Sequence, residues 1–354
     1  MSLPGFGNFA ASARTLTIYN VSTTSSSNTQ STTSRTASTS GAIAASASRS
    51  STPQAPLKSA VRFQLLSDLH LELSPDPIPK IPHTAPHLIL AGDINKLAPS
   101  NYPAYLAFLT SLAPHYERIF LILGNHEFYG GSIDEGLDAA RRLEGEEALR
   151  GRVCVMWRRR VDLDIDRNGQ DGDKEGEGRG KVTVLGCTMW SHIPSDSRKR
   201  VSLGINDFRQ IDDWTVDGHN AAHAADVAWL KAQLTDIAAE NRAAAAAAGP
   251  GVEKEKRRVL IITHHVPTLS PLARAPKHKD SPFMTSFQTD VLGDGDGGFD
   301  WAGSGVKVWA CGHTHQSFRI EEKGVLVVSN QRGYESGREG LKALRFDAGM
   351  VVEV

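Results

Sequence analysis

The run Val306-Lys307-Val308-Trp309-Ala310 passes directly into Cys311-Gly312-His313-Thr314-His315. A short, mostly apolar run rich in β-branched residues reads as a strand covered on both faces. Two imidazoles one residue apart, placed just beyond it after a glycine, give that strand a chemically equipped carboxyl end. This unit, a buried strand ending in donor groups, decides how the rest of the chain is read.

The same unit recurs four times upstream. Val61–Leu66 leads into Ser67-Asp68-Leu69-His70, and His87–Ala91 into Gly92-Asp93-Ile94-Asn95. Ile119–Leu123 leads into Gly124-Asn125-His126-Glu127, and Val259–Thr263 into His264-His265-Val266-Pro267. Val182–Leu185 and Val325–Ser329 are strand-like without such endings. Helix-like stretches lie between, at Tyr102–Ala113, Ser132–Arg142 and Ala221–Glu240. The last carries Val227, Leu230, Leu234 and Ile237 on one stripe. Strands alternating with helices predict an α/β fold.

In sheets with helical crossovers, ligands gather outside the carboxyl ends of the strands. Five such ends can therefore converge on one pocket although they are far apart in sequence. Their imidazole, carboxylate and amide oxygen donors suit Mn, Fe or Zn, and do not suit Mg alone or thiolate-bound zinc. An Asp between two cations can bridge them ~3.5–4 Å apart. The glycines before Asp93, Asn125 and His313 predict sharp backbone turns there. Any one of these fragments is an ordinary turn; their conjunction, each after a strand, is what carries the reading.

The set of blocks resembles the calcineurin-like metallophosphoesterase superfamily, whose pattern runs D-x-H, G-D-x-x-[DN], G-N-H-[DE], a lone His after a strand, and G-H-x-H. The resemblance covers roughly Arg62 to Tyr334 and is nearest to uncharacterised phosphoesterases of fungal and bacterial type. It implies a four-layer α/β/β/α sandwich of two mixed sheets flanked by helices, with two divalent metal ions at the strand carboxyl ends. It further implies that Asp68, His70 and His315 hold the first metal and that Asp93 bridges both. Asn125, His313 and one of His264 and His265 would hold the second; His264 is favoured because it comes directly off the strand, with His265 facing substrate. His126 would be the catalytic proton donor, oriented by Asp68, and Glu127 a structural hydrogen-bonding residue. The second block departs from the protein serine/threonine phosphatases: Asn95 stands one residue early, and the G-D-x-x-D-R-G run is absent. That branch is disfavoured, while Asp93 is unaffected.

The activity implied is hydrolysis of a small phosphate ester, monoester or diester, by a water that two cations acidify. The alternatives are a cyclic-nucleotide phosphodiesterase or nuclease, or a scaffold that keeps the fold without catalysis. Every ligand position is filled, which argues against the scaffold. Arg209 and Arg332 are candidates for substrate phosphate because guanidinium matches it bidentately. His192, His219 and His223 lie in the middle third, where the family places a loop over the metals.

Composition bounds these readings. With 39 basic and 40 acidic residues, the net charge is −1, which gives no sign of the broad basic face that extended nucleic acid needs. No apolar run approaches the ~20 residues that span a bilayer; no membrane partner is expected, and a cytoplasmic location is. Cys154, Cys187 and Cys311 are too few, and wrongly spaced, for a disulfide framework or a Cys-x-x-Cys site.

Residues 1–57 are Ser/Thr-rich and hold too little apolar surface to order themselves, so they read as a disordered tail before a domain at 58–354. No Asp or Glu precedes Asp68, a feature shared with organellar transit peptides, but the amphipathic Arg-bearing helix of such peptides is missing. Residues 163–180 and 243–256 read as surface loop insertions. The first contains Asp164-Ile165-Asp166-Arg167-Asn168-Gly169, ending at Glu175, which fits the calcium-loop pattern. Asp171 at its usually apolar eighth position, and flanks that do not read as paired helices, argue against calcium binding.

Overall fold

A computed structural model describes residues 60–73, 80–164, 181–248, 256–293, 298–334 and 345–354. The stretch 1–57 lies outside them, as do residues 165–175 of the calcium-loop pattern.

In chain order the elements are β1 (Arg62–Leu66), β2 (His87–Ala91), α1 (Tyr102–Leu112), β3 (Arg118–Ile122), α2 (Ile133–Glu144) and β4 (Val153–Val155). They continue with β5 (Arg159–Asp164), β6 (Lys181–Gly186), α3 (Arg198–Gly204), α4 (Asp207–Gln210), α5 (Val216–Ala248) and β7 (Arg258–Ile262). The last are β8 (Val306–Cys311), β9 (Phe318–Glu322), β10 (Val325–Ser329) and β11 (Val351–Glu353).

Two sheets form. The first runs β11-β1-β2-β3-β4, parallel except for β11, which is antiparallel to β1. The second runs β5-β6-β7-β8-β10-β9, with a parallel centre and antiparallel edges at β5 and β9. Both are mixed, as expected.

Alternation along each strand sorts the side chains into layers. Phe63, Leu65, Ile89, Phe120 and Ile122 of the first sheet share one core with Val184, Leu260, Ile262, Val308 and Val328 of the second. The opposite face of the first sheet, through Leu66, Leu88, Leu90 and Leu121, packs on Tyr105 and Leu109 of α1 and Leu143 of α2. That of the second, through Leu185, Val259, Ile261 and Trp309, packs on Val227, Leu230, Leu234 and Ile237 of α5. Helix, sheet, sheet and helix are the four layers. Each fully buried aliphatic side chain contributes about 1.5–3 kcal/mol of transfer free energy.

Local signals explain several boundaries. The Ser132 side chain accepts from the Glu135 backbone while Glu135 reaches back to Ser132, a capping box that starts α2 at Ile133. Helix α5 begins five residues before the expected stretch and runs to Ala248. The alanines at 243–248 are therefore helix, not loop, in keeping with the high helix propensity of alanine; residues 249–255 lie outside the described residues. Leu163 and Asp164 likewise belong to β5, which pairs antiparallel with β6 across the remainder of that insertion. All three cysteines are free and buried. Among the described residues no helix is long and apolar enough to cross a membrane.

Candidate metal centre

The ends of β1, β2 and β3 meet those of β7 and β8 along one edge of the sandwich. Backbone and side chain tie the two sheets together there: the His313 N–H donates to Asp68 Oδ1 at 3.0 Å, and His264 Nδ1 lies 2.9 Å from the Ala91 carbonyl. The second bond places a proton on Nδ1 and turns Nε2 into the site.

Among the described residues three donor groups result: two share Asp93, and a third, His70, Glu72 and His126, adjoins the first through His70. In the first, one ligand atom from each of Asp68, His70, Asp93 and His315 lies within 4.8 Å of all the others. His70 Nε2 is 2.9 Å from His315 Nε2 and 3.8 Å from Asp93 Oδ2, and His315 Nε2 is 3.4 Å from Asp68 Oδ1. In the second, Asp93, His264 and His313 converge within the same limit. His264 Nε2 stands 3.3 Å from Asp93 Oδ1 and 3.1 Å from Asn125 Oδ1. Asp93 thus turns one carboxylate oxygen toward each group.

The backbone is bent to achieve this. Asp68, His70, Asp93, His313 and His315 all have positive φ, between 47° and 74°. Such left-handed residues cost about 1–3 kcal/mol each and persist where surrounding structure dictates them. The glycines play two different parts. Gly92 takes φ +90°, the turn expected of it. Gly124 and Gly312 are instead needed for close approach: a Cβ on Gly124 would stand 2.3 Å from Asp93 Oδ1, and one on Gly312 would stand 2.2 Å from Ser67 Oγ.

Electrostatics suit a donor set. Burial works to raise both carboxylates, but His264, His126 and His70 outweigh it at Asp93 and hold that group well below the usual range; Asp68 remains raised. Burial drives His313 and His315 down, His315 to about 3, so both rings are neutral. At His264 burial is outweighed by Asp93 and Asp68, which push it up to about 10, so a cation bound there would displace the proton that these carboxylates hold on the ring.

His126 lies at the mouth. Its ring is held by Glu72, not by Asp68 as expected: Glu72 Oε1 is 2.7 Å from Nδ1. Burial opposes protonation of His126, yet Asp93 and Glu72 together raise it. Glu72 itself is held at about 2; burial pushes it up, and the bonds to His126 and His70 overcome that. On the other side Tyr334 Oη is 3.2 Å from His126 Nε2, with its ring over His70 and His315. Glu127 accepts from the N–H groups of Asp93, Ile94 and Gly124 and from the Tyr105 hydroxyl, clamping the loops from behind.

Other sequence candidates fall elsewhere. His265 is fully buried, stacked on His313 and bonded to Ser191 Oγ, so it lies behind the site and does not face substrate. Arg209 is exposed and donates to the Leu203 carbonyl and Asn206 Oδ1, tying α3 to α4. Arg332 is buried and donates to the Leu69 carbonyl, bracing the Asp68–His70 loop. His219 is buried against Trp190, His223 bonds the Trp190 carbonyl, and His192 is exposed. Sequence reasoning missed Glu72, Tyr129, Asp207 and Tyr334. Of these only Glu72, two residues beyond His70, carried any signal in its position.

Comparison with known proteins agrees with this fold. The family model for calcineurin-like phosphoesterases matches residues 61–317. An uncharacterised protein of Acanthamoeba polyphaga mimivirus is 22% identical over 300 residues, covering 78% of this chain and 92% of its own. The structure of a phosphopantetheinyl hydrolase from Mycobacterium tuberculosis superposes with a TM-score of 0.52 at 14% identity, over 79% of this chain and 92% of that one.

Proposed function

Because the chain belongs to the calcineurin-like phosphoesterase family, a family of phosphoester hydrolases, we propose that it hydrolyses a small-molecule phosphate ester with two divalent cations at this centre. Asp68, His70 and His315 would hold the first, Asn125, His264 and His313 the second, and Asp93, which faces both groups, would serve the two. The observation that carries this is the sharing of the Asp93 carboxylate between two donor groups. The donors fit: imidazole nitrogens with carboxylate and amide oxygens suit Mn, Fe or Zn. When bound, the pair supplies Lewis acidity, acidifying a shared water and neutralising phosphoryl oxygens.

The chain's own groups do the rest. His126 donates its Nε2 proton to the leaving oxygen, an effect typically worth about 10²–10⁴-fold. Glu72 keeps the opposite nitrogen protonated and fixes the plane of the ring. Tyr334, 42% exposed, bonds the same Nε2 through its hydroxyl. The near-neutral net charge favours a small ester over extended nucleic acid.

Metal analysis of the purified protein followed by assays with manganese on 4-nitrophenyl phosphate and bis(4-nitrophenyl) phosphate tests this reading. Turnover of either supports it, and their ratio separates monoesterase from diesterase. A protein that takes up cations yet turns over neither contradicts it.

A further inference from the structure

We propose that Asp207 sets which end of the Asn125 amide faces the second cation, and so controls loading of that position. The inference rests on the two-cation reading above and adds to it a residue outside the donor set.

A side-chain amide has an oxygen that can ligate a cation and a nitrogen that cannot, and the two ends are nearly the same shape. Packing alone does not choose between them, so the hydrogen bonds must. Both N–H groups of Asn125 are taken: Nδ2 donates to Asp207 Oδ1 at 2.8 Å and to Tyr129 Oη at 2.9 Å. The oxygen is thereby turned to the opposite side, 3.1 Å from His264 Nε2.

The polarity of this network has one source. Asparagine and tyrosine can each donate or accept, whereas Asp207 Oδ1, which takes a hydrogen bond from both, acts only as acceptor. The Tyr129 hydroxyl donates to the same Asp207 oxygen at 2.6 Å, which leaves its lone pair to accept from Asn125. Reversing the amide would set its carbonyl against the Asp207 carboxylate. All three groups are buried, at 2%, 4% and 5% exposure for Asp207, Asn125 and Tyr129, so water does not compete. Asp207 opens α4, and its side chain reaches inward while Arg209 of the same turn points out. Partners of metal ligands typically govern about 10–100-fold in metal affinity.

The test is titration of the metal-stripped full chain with Mn(II), read by equilibrium dialysis and by the electron paramagnetic resonance signal, which separates a coupled pair from an isolated ion. The wild type is expected to bind two ions, and Asp207→Ala one, with affinity for the second weakened at least about 10-fold. Adding Asn125→Asp to Asp207→Ala is expected to restore two, because a carboxylate has oxygen at both ends and needs no orientation. Tyr129→Phe is expected to keep two, since Asp207 still accepts from Nδ2. Asp207→Asn guards against misfolding by Asp207→Ala: its loss is smaller, and Asn125→Asp again reverses it.

Two ions bound by Asp207→Ala with wild-type affinity would overturn the proposal. So would failure of Asn125→Asp to restore the pair, since a merely structural Asp207 would leave single and double variants equally impaired. A wild type that takes up no pair overturns the two-cation reading itself, so the two failures are told apart.

Discussion

Glu72 Oε1 lies 2.7 Å from His126 Nδ1, joining the end of the first site loop to the histidine of the third. A carboxylate there keeps a proton on Nδ1 and aims Nε2 toward the mouth. Glu72→Gln is therefore expected to lower kcat about 10- to 100-fold at saturating cation, where any loosening of His70, which Glu72 also contacts, no longer limits the rate. The loss should be larger for an alkyl phosphate than for 4-nitrophenyl phosphate, whose leaving group needs less help from an acid. Equal rates for wild type and variant on the alkyl ester would refute this role.

Gly124 leaves room for the pair it separates. A Cβ there would meet Asp93 Oδ1 at 2.3 Å and His264 Nε2 at 2.8 Å, neither of which can withdraw without abandoning the site. Gly124→Ala is expected to cost about 1–3 kcal/mol in stability, as overpacked sites do. It should also prevent uptake of the second cation. Thermal unfolding and metal content check both parts.

His219 gives a pH dependence with a defined sign. Burial, assisted by His223 and His192, depresses it from 6.5 to about 3. The folded state therefore holds a neutral ring while the unfolded chain protonates it below about 6.5. Its contribution is fully present above pH 6.5 and is lost as pH falls toward 3. By linkage the loss reaches about 2–3 kcal/mol at pH 4.5. In His219→Leu that part of the acid destabilisation should vanish. Urea unfolding of both proteins at pH 8 and at about pH 4.5, with a chelator present, measures it; equal losses in the two proteins would contradict it.

What could be read in the sequence was local. The five strand endings are contiguous strings, so Asp68, His70, Asp93, Asn125, His264, His313 and His315 were visible together with the strands that carry them. The separation of His264 from His265 was not, because it depends on which ring meets the Ala91 carbonyl on the other sheet. Glu72 and Asp207 acquire their partners 54 and 82 residues away, through tertiary packing that no spacing announces. Strands β4 and β11 are three residues long, too short for a periodic signal, and β9 is an edge strand with charged residues. The alanine run sent mixed signals: high helix propensity argued for helix, and the Gly249-Pro250-Gly251 that follows argued for loop. Propensity prevailed as far as Ala248.

The most direct test of the central claim is anomalous X-ray diffraction from crystals grown with manganese. Two peaks are predicted, about 3.5–4 Å apart, one beside His70 and His315 and the other beside His264 and His313, with the Asp93 carboxylate between them. A single peak, or a pair that leaves Asp93 unligated, would contradict the account.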